Sequence, residues 1–372
     1  MVLAGHTLLP EALGGAGVTL FFVLSGYLIT ALLIGEHAET GRIALRSFYG
    51  RRARRLLPAL LLLVVVVGLR MTMYGDFLAW FPNGLAVVFY VGNWAYAAGA
   101  QMQGLGHTWS LAIEEQFYAL WPLALIVLLP LGLRRAGYAT GLLIALSLAL
   151  TALSLDNYVL AAVGFHTRAS ALLIGCLVAV ASAYRGADMR VPTWLAAISA
   201  IVFLALYLSD AWRATILVAW IPAGVVVAWL AARPMFLAWR PLTLTGRISY
   251  GLYLFHFPIA FGPLNYLDGL SPAPRAIAII VVSYGLAGGS WLLIERRFVA
   301  GRRSSPMASL SVLRRLADWY GVPPRSRLIT TSGIRERDVD AWLDAAEAIG
   351  LTSGAAHDWD RRPGRPRGAA GG

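Results

Sequence analysis

The sequence predicts an all-α, polytopic transmembrane helical bundle, and three observations carry that prediction. Of the 372 residues, 58% are apolar and 13% charged, with a mean hydropathy of +0.66. Such a chain cannot cover its apolar side chains with charged surface, so lipid must do so, which excludes a cytosolic enzyme. The apolar residues also fall in several long runs, which excludes a soluble head on a single anchor. None of the runs alternates every second residue as the strand of an outer-membrane barrel does; helices are the remaining way to satisfy a backbone in hydrocarbon.

The runs lie near 18–34, 56–73, 78–98, 117–133, 138–154, 158–183, 194–209, 213–231, 243–262 and 274–294. A crossing needs roughly 20 residues, so the expectation is a bundle of about ten spans. Met1 to Leu9 reads as the second half of a first span that is truncated here. The membrane domain is expected over 1–300. Beyond it, Val312, Leu313, Leu316, Trp319 and Tyr320, then Val339, Trp342, Leu343, Ala346 and Ile349, recur at helical spacing, which predicts a short soluble helical tail over 301–355. The Gly, Pro, Arg and Ala of 356–372 predict disorder.

The formal charge is +12, and every basic residue other than histidine is arginine. Clusters at Arg51 to Arg55, Arg134 and Arg135, Arg185 to Arg190, Arg233 to Arg240 and Arg296 to Arg303 border the runs. They act as cytoplasmic topology signals and contacts for anionic lipid, so a multi-pass protein of the inner (plasma) membrane is expected, and no nucleic acid. The last four clusters are each separated by two runs and share one side. Three runs separate Arg55 from Arg134, so either one run does not cross or one cluster faces outward. Cys176 is the lone cysteine; no disulfide, thiolate cluster, nucleotide-binding glycine pattern or metal motif is expected.

Polar groups inside apolar runs are costly unless buried and paired, and should converge. Four segments concentrate them: Phe21 to Thr30 (FFVLSGYLIT), Phe48 to Pro58 (FYGRRARRLLP), Trp109 to Tyr118 (WSLAIEEQFY) and Ile248 to Pro258 (ISYGLYLFHFP). In content and order they resemble the acyltransferase 3 family, integral-membrane O-acyltransferases of bacterial surface glycans and related substrates. The resemblance runs from about His6 to Arg297. It implies transfer of an acyl group, acetyl foremost, from acyl-coenzyme A as co-substrate to a hydroxyl of a carbohydrate, lipid-linked glycan or other envelope or secondary-metabolite acceptor, with no permanently bound cofactor. It also implies an arginine upstream of the first-span histidine, at a position that falls before Met1, hence a longer natural chain. Some members carry an added esterase-like domain, for which the tail shows no Gly-Asp-Ser start.

Each candidate residue has a structural reading beside the chemical one. His6 is an interfacial histidine or a base, since an imidazole titrates near neutrality; the resemblance makes it catalytic. Arg51, Arg52, Arg54 and Arg55 are a topology anchor or a clamp for donor phosphates, which guanidinium groups bind bidentately; Arg52 and Arg55 are preferred. Ser110 is placed to cap a helix starting at Leu111, with Glu114 and Glu115 favoured by the helix dipole. Adjacent helical residues diverge by about 100°, so only one of these carboxylates should face a given neighbour. One would orient a histidine or the acceptor, and the other would pair with an arginine such as Arg168. The resemblance puts Ser110, Glu114 and Glu115 in catalysis, Arg168 with Arg52 and Arg55 on the donor, and Trp109, Tyr253 and His256 on the substrate.

Ser249, Tyr253 and His256, spaced i, i+4 and i+7, are expected to form an inward stripe, with helix-packing hydrogen bonds as the alternative. His107 is a further candidate lining residue, and His37 and His357 read as surface histidines. The competing function is a transporter or flippase of an envelope precursor, which would also need buried polar groups, but no repeat symmetry supports it.

Overall fold

The computed structural model describes residues 2–5, 7, 12–186, 189–233, 240–267 and 269–295. His6, Arg296 to Arg303, the expected tail over 301–355 and the segment 356–372 lie outside them.

Helix follows apolar run almost throughout. After the short α1 (Val2–Gly5) come α2 (Ala12–Thr40), α3 (Leu45–Tyr74), α4 (Phe77–Val88), α5 (Gly92–Ala97), α6 (Trp109–Leu128) and α7 (Leu133–Leu153). Then follow α8 (Tyr158–Val163), α9 (Phe165–Arg185), α10 (Thr193–Leu208), α11 (Trp212–Val218), α12 (Trp220–Ala231), α13 (Arg240–Phe261) and α14 (Pro272–Ser290). Among the described residues the expected all-α polytopic bundle is borne out. Six helical segments are long and apolar enough to cross a membrane, and α11 with α12, bent by 44°, makes a seventh.

The run at 78–98 departs from expectation. It folds as α4 and α5, broken at Phe89 to Val91, where Tyr90 takes a left-handed φ of 55°. The twelve residues of α4 extend only about 18 Å, short of the hydrocarbon thickness. Gln116 holds the break by donating to the Tyr90 carbonyl at 2.7 Å and to Asn93 Oδ1 at 2.8 Å. The irregular backbone is tolerated because its polar groups are satisfied, with Phe89, Tyr90 and Val91 donating back to carbonyls of α4 and Gln116 capping the Tyr90 carbonyl.

That break resolves the charge parity. Trp121 donates to Thr30 at 2.7 Å and Ser25 to Glu114 at 2.6 Å, so α2 and α6 run parallel. Tyr49 reaches the Ala119 carbonyl at 2.9 Å while Arg52 reaches Glu115, so α3 is antiparallel to α6. Tyr250 donates to the Leu56 carbonyl and Arg70 to the Pro263 carbonyl, so α13 parallels α3. Arg168 meets Thr19 and Cys176 meets the Gly26 carbonyl, so α9 parallels α2. With α4 and α5 not crossing, the clusters at Arg51 to Arg55, Arg134 and Arg135, Arg185 to Arg190, and Arg233 to Arg240 all belong to one end of the bundle, as the positive-inside rule requires.

Two apolar cores flank α6. One joins α2, α6, α9 and α12 through Phe22, Leu33, Ile113, Leu125, Leu172 and Ala223. The other joins α3, α4, α13 and α14 through Leu60, Leu63, Trp80, Leu254 and Ile279, and takes Leu111 from α6. Within the first core α2 and α9 touch backbone to backbone: a Cβ on Gly26 would lie 1.9 Å from the Leu172 carbonyl oxygen, and one on Gly175 would lie 1.9 Å from that of Val23. Only glycine allows this approach.

Candidate active site

The site is built on α6 where it faces both cores. On one side Glu114, 5% exposed, accepts hydrogen bonds on Oε1 from Ser25 of α2 at 2.6 Å and from Tyr118 at 2.5 Å. Arg52 of α3 donates through Nη2 to Glu115 Oε1 at 3.1 Å, with Glu114 Oε1 at 3.8 Å. Its guanidinium lies 3.3 Å from the centre of the Tyr118 ring. Three helices thus close around one cation and two carboxylates, the pairing that charge at this depth requires. The expectation that only one carboxylate faces a given neighbour is corrected. The two side chains do diverge, but the long guanidinium arm sits between them and reaches both. The partner expected for the second carboxylate, Arg168, is replaced by Arg52.

One turn earlier on α6 lies a second, uncharged cluster. Ser110 Oγ and Tyr253 OH are 2.6 Å apart, and Tyr253 OH donates to the His107 carbonyl at 2.8 Å. His107 is buried, stacked on Phe257 at 4.8 Å between ring centres, with the His256 ring 5.5 Å away. Its Nε2 donates to the Leu254 carbonyl at 3.1 Å, so in the neutral ring Nδ1 is the basic nitrogen. His256 has the opposite tautomer: Nδ1 donates to the Tyr253 carbonyl at 2.7 Å, which leaves Nε2 as the basic nitrogen.

Two local expectations fail here. The α6 helix begins at Trp109 after a 3₁₀ turn over Gly106–Thr108, so Ser110 lies inside it and caps nothing, and neither carboxylate is in the first turn. The dipole explanation for Glu114 and Glu115 falls with that. Ser249 is exposed and bonds back to the Gly246 carbonyl at 2.8 Å, because the buried face of α13 centres on Gly251, Leu254, Phe255 and His256. Tyr250 takes the inward place, anchored on Leu56.

The remaining candidates are more scattered. Arg55 is half-buried beside this group, and Arg51 and Arg54 are exposed. Trp109 packs edge-on against Phe22 at 6.2 Å on the α2 side. The Arg168 guanidinium lies 5.7 Å from the same ring and 3.4 Å from Thr19 Oγ1 of α2. No carboxylate among the described residues pairs with it, contrary to expectation. His6 lies outside the described residues. Missed from the sequence were Ser25 and Tyr118, although Tyr118 sits one helical turn from Glu114 and both lie in the quoted segments. Also missed was Glu295, 2% exposed and accepting from Ser290 Oγ at 2.8 Å.

A helical membrane bundle with a paired charge cluster one turn from a hydroxyl–imidazole cluster defines the class: a polytopic membrane protein built around a polar interior. The chain belongs to the acyltransferase 3 family, whose model, described as an acyltransferase domain, matches residues 1–293. Among similar proteins, O-acetyltransferase OatA of Staphylococcus aureus strain NCTC 8325 is 33% identical over 319 residues, covering 76% of this chain and 52% of that protein. A putative O-acetyltransferase of Staphylococcus aureus strain COL is 33% identical over 326 residues, covering 77% of this chain and 52% of its own length. The chain thus spans about half the length of these relatives. No solved structure matches.

Proposed function

We propose that the chain is a plasma-membrane O-acetyltransferase that moves an acetyl group from acetyl-coenzyme A to a hydroxyl of an envelope glycan. The observation that carries this reading is the run of buried polar groups through the bundle, from Arg52 of α3 with Glu115 and Glu114 of α6, through Ser110, to Tyr253 and His256 of α13. Family membership and the O-acetyltransferase relatives support it.

In the reaction the acceptor oxygen attacks the thioester carbonyl, its proton passes to a base, and the coenzyme A thiolate leaves. His6 is the proposed base or transient acyl carrier, with Glu114 or Glu115 setting its charge and tautomer. His256 Nε2 and His107 Nδ1 are further basic nitrogens in the same interior. For the hydroxyls of Ser110 and Tyr253 to meet the developing oxyanion, each must turn its single proton from its present acceptor, the Tyr253 hydroxyl and the His107 carbonyl. Because Arg52 is already matched by two carboxylates, it organises them, and the donor phosphates fall to Arg55 with Arg51 and Arg54 at the mouth.

A transporter reading shares one feature, the broken segments α4–α5 and α11–α12. The full chain in nanodiscs, supplied with radiolabelled acetyl-coenzyme A and envelope glycan, separates the two. Label moving to glycan in the wild type but not in His6→Ala supports the transferase. Intact donor, together with glycan flux in proteoliposomes, supports the transporter.

A further inference from the structure

Arg168 is the described cation whose surroundings ask for a ligand. It lies in the first turns of α9, within an apolar segment of spanning length, where an uncompensated guanidinium is expensive. Its Nε is sealed from solvent and has no hydrogen-bond partner among the described residues. What it does have is weak: one hydroxyl, Thr19 Oγ1, at 3.4 Å, and the face of Trp109 at 5.7 Å. The Arg52 guanidinium, by contrast, is matched by two carboxylates. A cavity of about 10 Å³ opens on Arg168, walled by Thr19, Thr167, Ser170, Thr215 and Trp220. That is room for one water-sized group; Ala171 and Ile216 complete the wall, and the Thr167 and Thr215 hydroxyls are bonded to main-chain carbonyls.

The position of this cavity matters as much as its chemistry. Its walls come from the early turns of α2 and α9 and from the α11–α12 bend, all displaced from the arginine-rich end. Thr19 is six residues beyond Ser25 along α2, about 9 Å further from that end. Trp109 separates the cavity from the Ser110–Tyr253 pair by a single residue of α6. A ligand whose anionic tip reached Arg168 would lie near Trp109, in the half of the bundle away from the arginine-rich end.

We infer that Arg168 reads an oxyanion, carboxylate or phosphate, on the acceptor, so that the acceptor is an anionic glycan and Arg168 belongs to its site rather than to the donor's. The cavity admits the tip of the anionic group and leaves the sugar outside, and the guanidinium fork supplies paired donors to it. This deepens the acyl-transfer reading and rests on it.

The test uses the full chain in nanodiscs and three probes: methyl glucuronide, glucose 1-phosphate and neutral methyl glucoside. Wild type is expected to bind one or both charged probes at least about tenfold more tightly than the neutral one, the scale of a charge-assisted hydrogen bond. The stronger of the two names carboxylate or phosphate. Arg168→Gln should erase the preference while acetyl-coenzyme A binding stays within about twofold, and Arg168→Lys should restore part of it. Equal binding of charged and neutral probes by wild type overturns the inference. So does retained preference in Arg168→Gln, or a loss of acetyl-coenzyme A binding in that variant while its melting temperature is unchanged. If charged-probe binding behaves as stated but no label is transferred from acetyl-coenzyme A, the transferase reading fails and the oxyanion site stands.

Discussion

The two polar clusters on α6 lie one turn apart and are stabilised by opposite means. Around Arg52, charge is matched with charge across three helices, so each member depends on the others. Around Tyr253, hydroxyls and imidazoles are fixed largely by main-chain carbonyls of Tyr253, Leu254 and His107, so each member is held mostly by the backbone. The lesson is that buried charge couples helices and hence stability, whereas neutral groups pinned to backbone can be tuned for chemistry at small structural cost.

The largest expected effect falls on the charged cluster. Arg52→Met leaves two carboxylates without their cation, and a loss of about 3 kcal/mol is expected, read as a lower melting temperature in detergent together with loss of acetyl transfer. Adding Glu115→Gln should return part of that stability, and a double variant no more stable than Arg52→Met would break the claimed coupling. Next comes Glu114→Gln, which weakens charge-assisted bonds from Ser25 and Tyr118 and should cost about 2 kcal/mol. Ser25→Ala removes a single donor to the same carboxylate and is expected to cost about 1 kcal/mol by thermal unfolding. Smallest in stability is Tyr253→Phe, at or below about 1 kcal/mol, yet its transfer rate should fall by roughly a hundredfold if that hydroxyl faces the oxyanion. A Tyr253→Phe variant that melts as early as Arg52→Met would erase the distinction between the clusters.

Much of this was legible in the sequence, and the exceptions have physical causes. Apolar runs gave the helices because length and hydropathy decide insertion. They could not show that the run at 78–98 breaks, since that depends on Gln116, a residue from another helix, holding the Tyr90 carbonyl. The arginine count exposed the inconsistency at that run but not its resolution. Within the site, Glu114, Glu115, Ser110, Tyr253 and His256 do come together. Their partners were harder to foresee: hydrocarbon makes pairing compulsory, but register between helices chooses Arg52 over Arg168. Ser249 failed for a finer reason, because a polar residue at helical spacing still lies outside when the buried arc is centred two residues away.

The backbone contacts at Gly26 and Gly175 have a mechanical consequence. Where two main chains abut, there are no rotamers to rearrange and no slack to take up, so α2 and α9 are fastened as a single strut. Ser25, which holds the Glu114 carboxylate of α6, is mounted on that fixed wall. In the proposed acyl transfer, the opening that admits a bulky donor and releases its thiol is expected from the opposite wall, built by α3, α13 and α14, and turnover should be felt there first.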